Sequence, residues 1–99
     1  MPGVTRDGDA TTTGHGCDAT TTVTGPSTDV FCNTKGVERK TDPTVSHEIT
    51  AGLGCVPHTS SISAGSSTVF VNGKSIARKT DACDAGAITG GSTNVFAGG

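Results

Sequence analysis

The chain has no tryptophan, no tyrosine and only three phenylalanines, and 31% of its 99 residues are apolar. So little bulk excludes a large hydrophobic core and points to a small scaffold that needs a staple, a metal or a partner. Charge is sparse as well: seven basic against nine acidic residues leave a net charge of −2. That balance offers no strongly basic surface for nucleic acid or for stable binding to an anionic membrane. No apolar run approaches the roughly 18 residues of a membrane span, and the opening "MPGVTRDGD" has neither the charged nor the apolar part of a cleaved signal. Synthesis in the cytoplasm is the expectation. In a reducing compartment the four cysteines, Cys17, Cys32, Cys55 and Cys83, read as metal ligands or inert buried residues sooner than as a disulfide framework.

What is abundant is glycine (15), threonine (18) and serine (9), a composition that disfavours helix and suits short strands joined by turns. The chain also repeats itself. At an offset of 39, Val30-Phe31 falls on Val69-Phe70, Asn33 on Asn72, Lys35 on Lys74 and Arg39-Lys40-Thr41-Asp42 on Arg78-Lys79-Thr80-Asp81. An offset of 26 carries Ser66 and Val69-Phe70 onto Ser92 and Val95-Phe96, and one of 33 carries Val4, Arg6 and Asp9 onto Val37, Arg39 and Asp42. All three arginines and all three phenylalanines sit at equivalent positions. Residues 1–99 therefore form a single domain of three circularly cut repeats. In "VFVNGKSI" apolar residues alternate around Asn72-Gly73, the strongest two-residue hairpin signal. The first copy has Thr34 in place of the glycine, which points to a different turn. The third copy stops at "NVFAGG", so the N-terminal "PGVTR" is expected to supply its return strand. The fold class that follows is all-β: three small β-hairpins related by a pseudo-threefold axis.

Each copy is followed by a loop of different length, and these loops hold every histidine: His15 in the first, His47 and His58 in the second, with Cys83 in the third. Converging at one end of a threefold arrangement, three imidazoles and a thiolate make a closed tetrahedral zinc set with no position left for water. The spacing alone leaves Cys55, in "GCVPH", and Cys17, in "HGC", as rival ligands. Cys32, next to Phe31, reads as a small buried hydrophobe. Each arginine precedes an aspartate by three residues and reads as an individually weak ion pair at a loop entrance. The runs "ATTTG" and "ATTTVT" read as loop. A zinc hydrolase would need an open coordination position and a base; Glu48 is the candidate base, and four ligands leave no opening. The expectation is a structural protein and not an enzyme.

"GSSTVFVNGKSIARKTD", "ITGGSTNVFAGG" and "GCVPHTSSISAG" resemble the proline-alanine-alanine-arginine (PAAR) repeat proteins. The motif behind that name corresponds here to Ser75-Ile76-Ala77-Arg78, with "KGVER" in the first copy. The resemblance spans the whole chain. It implies a cone with hairpins at its base and one structural Zn2+ near its apex, held by His15, His47, His58 and Cys83. It further implies a monomer that caps a homotrimeric β-helical spike of a contractile injection machine, a type VI secretion system or a phage tail, and sharpens it for membrane puncture. Such a protein acts at the spike tip, is delivered outside the cell and crosses the target membrane without binding it stably. A zinc-binding module that carries or recruits effectors is the alternative.

Overall fold

Strands are short because glycine and hydroxyl residues interrupt every apolar run. A computed structural model describes residues 1–99 as ten strands paired into five antiparallel hairpins, with no helix. They are β1 (Ala10–Thr12) with β2 (Thr20–Thr22), β3 (Phe31–Cys32) with β4 (Lys35–Gly36), and β5 (His47–Ala51) with β6 (Gly54–His58). β7 (Phe70–Val71) pairs with β8 (Lys74–Ser75), and β9 (Ala82–Cys83) with β10 (Gly86–Ala87). The all-β expectation holds, and no helix is long and apolar enough to cross a membrane. The molecule measures 42 × 24 × 22 Å.

The repeat is written in hydrogen bonds as well as in letters. β7–β8 turns at Asn72-Gly73, with φ of 54° and 77°. Two consecutive positive φ values are the signature of the type I′ hairpin turn. β3–β4 uses the same turn and not a different one: Asn33 and Thr34 sit at φ 53° and 69°. Thr34 thus takes a left-handed conformation that L residues avoid, held there by the strands on either side. In the third copy Gly3 bridges Phe96, and the Val4 amide donates to the Val95 carbonyl at 2.9 Å. The N-terminal segment does complete this pairing.

A serine opens each copy, and its hydroxyl does the same work three times. Ser27 Oγ accepts from the Asp29 and Val30 amides, Ser66 Oγ from Thr68 and Val69, and Ser92 Oγ from Asn94 and Val95. These bonds satisfy amides that the bend into the strand would otherwise leave open.

The three arginine–aspartate pairs are stronger devices than isolated surface pairs. Arg39 donates from Nε to Asp42 Oδ2 at 2.8 Å and from NH2 to Oδ1 at 2.9 Å, while its backbone amide also donates to Oδ2. Arg6–Asp9 and Arg78–Asp81 repeat this fork. All six side chains are largely shielded from water. Bidentate, charge-assisted geometry in partial burial accounts for the correction. Each arginine also reaches across to the next copy: Arg6 to Asn33 Oδ1, Arg39 to Asn72 Oδ1 and Arg78 to the Gly98 carbonyl.

The copies close on one another through a ring of backbone bonds. The Glu38 amide donates to Thr5, Thr5 to Ala77 and Ala77 back to Glu38, at 2.9–3.0 Å, and all three residues are fully buried. Beside the ring lie two small apolar clusters. One is built from Val4, Val37 and Ile76 with Cys32, Val71 and Ala97, each trio occupying one repeat position. The other contains Val23, Ile62 and Ile88, again one position, with Ala77 and Cys83. The core is therefore three sets of three equivalent residues in two small clusters more than a single packed mass, as the low apolar content requires. Glu38 is the exception: both of its carboxyl oxygens are buried without a hydrogen-bond partner.

The segments between copies are more regular than expected. The threonine runs form strands, not loops: Ala10↔Thr22, Thr11↔Thr21 and Thr12↔Thr20 are the register of β1–β2. β-branched residues on a half-buried ladder explain this. β5–β6 is a five-pair hairpin turning at Gly52-Leu53, with Gly52 at φ 58°.

Candidate metal centre

Three elements bring the histidines to one place. His47 and His58 are cross-strand partners in β5–β6, so the hairpin register alone sets them side by side. His15 comes from the β1–β2 loop, whose Thr13 carbonyl accepts from the Ala85 amide in the β9–β10 turn. Gly14, just before His15, sits at φ 75°, and a Cβ there would meet the Ala85 carbonyl oxygen at 2.6 Å. Only glycine fits this approach. The imidazole centroids lie 5.0, 5.1 and 5.6 Å apart.

The fourth member is Asp84, in the two-residue turn between β9 and β10. Its carboxylate lies 2.9 Å from His15 Nε2, 2.8 Å from His47 Nε2 and 3.4 Å from His58 Nε2. The donor atoms of His15, His47, His58 and Asp84 all fall within 4.8 Å of one another. Burial works to raise the Asp84 pKa, but the imidazoles of His47 and His15 set against its oxygens outweigh it and hold the carboxyl below its ordinary value.

This arrangement suits a cation better than protons. His58 Nε2 is buried and has no hydrogen-bond partner, although it faces the carboxylate. His47 Nδ1 lies 3.0 Å from the Val45 carbonyl, so its proton belongs there. That leaves Nε2 with a lone pair directed at the group, the outer-shell arrangement that fixes the tautomer of metal-ligating histidines. Protonating the rings instead would place three positive charges around one carboxylate. A divalent ion would accept a lone pair from each of the three rings and the carboxylate together. Three imidazoles and one carboxylate are a chemically sufficient set for a four-coordinate zinc.

The structure places Cys83 elsewhere. Its side chain is fully buried in the apolar cluster with Val23, Ile62 and Ile88, one residue away from the group that Asp84 joins. Burial pushes its thiol pKa up, against a hydrogen bond with Thr11. Strand alternation is the reason: in β9–β10, position 83 faces inward and the turn residue 84 faces the histidines. Asp84 escaped sequence reasoning because the chain has seven aspartates. The two-residue spacing "CDAG" that makes 84 a turn position was the signal that could have found it.

Cys17 and Cys55, the rival ligands, are joined to each other as a disulfide with Cα atoms 6.1 Å apart. This replaces the expectation of reduced cysteines for that pair. Cys32 is buried, as a small hydrophobe should be. Glu48 lies on the opposite side of the strand from His47, with its amide bonded to Asp18 Oδ2 at 2.7 Å.

No curated protein matches the chain. The model of the family described as PAAR motif matches residues 7–90 of the 99. Covering well over half of a chain built of repeated hairpins and carrying a histidine-lined group, that match shows that the chain belongs to the PAAR-motif family.

Proposed function

We propose that the protein is a structural tip that caps the trimeric β-helical spike of a contractile injection machine, of a type VI secretion system or a phage tail. The observation that carries this reading is a triplicated apolar surface. Phe31, Phe70 and Phe96 are 60, 59 and 49% exposed, and each follows a partly exposed valine, Val30, Val69 or Val95. A small protein with few aromatics that puts all of them in water marks a binding surface, not a core. Six such side chains at three equivalent positions fit a partner that presents the same surface three times. A homotrimeric β-helix does so, and its end also exposes three strand edges that must be covered to prevent promiscuous pairing.

On this reading the three hairpins are related by a pseudo-threefold axis and form the base, and the histidine group lies toward the apex of a cone. One zinc ion held by His15, His47, His58 and Asp84 is structural. All four positions are filled by protein, and structural zinc contributes on the order of 10 kcal/mol in small domains that lack a core. The role is mechanical and not catalytic. The cap is made in the cytoplasm and delivered with the spike. The alternative, a zinc-binding module that recruits effectors, calls for a surface other than the phenylalanine ring.

The test is native mass spectrometry of the full chain mixed with a homotrimeric β-helical spike. One copy per trimer is expected, lost in Phe70→Asp without loss of the fold. Undiminished binding of Phe70→Asp would sink the proposed interface.

A further inference from the structure

We infer that the Cys17–Cys55 disulfide is a redox clasp that sets how tightly the histidine–aspartate group retains its metal, an inference that rests on the metal-centre reading above. The placement of the bond carries it. Cys17 is two residues from His15 in the β1–β2 loop, and Cys55 lies on β6, three residues from His58. The bond therefore joins the loop that brings one imidazole to the hairpin that brings the other two. Besides the bond and a contact of Cys17 Sγ itself with Thr50 Oγ1 at 3.5 Å, two hydrogen bonds tie the loop to β5: the Asp18 amide to the Glu48 carbonyl at 3.1 Å and the Glu48 amide to Asp18 Oδ2 at 2.7 Å. Both lie at the surface, where hydrogen bonds open easily.

The bond is also reachable and chemically isolated. Cys55 is exposed and Cys17 half-buried, whereas Cys32 and Cys83 are buried. A thiol reductant can attack the clasp, and no neighbouring thiol competes for the pairing. The reaction balances as a two-electron exchange with a dithiol. The Cys17–Cys55 sulfur–sulfur bond breaks, the dithiol closes to its own disulfide, and its two protons end on the Cys17 and Cys55 sulfurs. The freed loop then has more conformations to lose when His15 joins the metal, so reduction weakens binding. By linkage, bound metal makes the clasp harder to reduce by the same factor.

The experiment uses the full chain and zinc alone, titrated against a chromophoric chelator. Three forms are compared: the oxidised protein, the protein reduced by a phosphine, and Cys17→Ser/Cys55→Ser without reductant. One zinc is expected in each form, with a dissociation constant about tenfold higher in the reduced protein and in the double variant, a coupling typical of two linked sites. The converse readout is alkylation of the freed thiols in a dithiol buffer. Saturating zinc should lower the reduction midpoint by about 30 mV, the equivalent of tenfold for two electrons. Equal affinity in the oxidised and reduced protein overturns the clasp and leaves the metal centre standing. Tighter binding on reduction overturns it too, by making the thiols ligands. No zinc in any form removes the metal centre itself.

Discussion

Replacing Glu38 by glutamine is expected to stabilise the protein at neutral pH. Glu38 is fully buried and both carboxyl oxygens lack partners. Burial, reinforced by Asp42 and Asp7 and opposed by Arg39, pushes its pKa from 4.5 to about 9. In the unfolded chain the carboxyl loses its proton above about pH 4.5, while in the folded chain it keeps it until about pH 9. The group's contribution to stability is therefore complete below pH 4.5 and is lost as pH rises through 9. At pH 7 the unfolded state is favoured by about 2.5 pH units, which at 1.36 kcal/mol per unit is about 3 kcal/mol. Glu38→Gln keeps the shape and cannot ionise, so it should recover up to that amount. Urea unfolding of both proteins between pH 4 and 9 reads the difference, and the histidine contributions common to both cancel. The two curves should meet near pH 4 and separate by about 1.4 kcal/mol per pH unit above 5. Parallel curves would refute the reasoning and place water or an ion beside the carboxyl.

Four substitutions probe other parts of the account. Asp84→Ala should abolish stoichiometric zinc binding measured by chelator competition, whereas Cys83→Ala should keep the metal and cost about 1–2 kcal/mol in thermal unfolding as a small core truncation. Arg39→Lys should lose roughly 1–2 kcal/mol, since a lysine cannot span both Asp42 oxygens and reach Asn72; an unchanged melting temperature would reduce the fork to ornament. Thr34→Gly removes a β-branched residue from φ 69° and should stabilise the β3–β4 hairpin by up to about 1 kcal/mol, checked by the same unfolding assay.

The hairpins and the return strand of the third copy were legible because rare residues mark them. Phenylalanine and arginine occur three times each, so their alignment carries register, and Asn72-Gly73 names its own turn. The histidines were legible for the same reason. Thr34 was misleading because a local preference against positive φ was overruled by the strands flanking it. The threonine runs hid a ladder because hydroxyl residues carry no alternation of apolar and polar to read. Cys83 and Asp84 are adjacent, and only the strand register decides which one faces the histidines. The Cys17–Cys55 bond depends on how the β1–β2 loop lies against β5–β6, a contact between segments with no repeat partner to locate them.

The most direct test of the metal centre is X-ray absorption at the zinc edge of the loaded, oxidised protein. The account predicts four light donors, three nitrogens and one oxygen, all at about 2.0–2.1 Å, with multiple scattering from three imidazoles. A sulfur shell at about 2.3 Å would contradict it, returning Cys83 to the site and Asp84 to the turn.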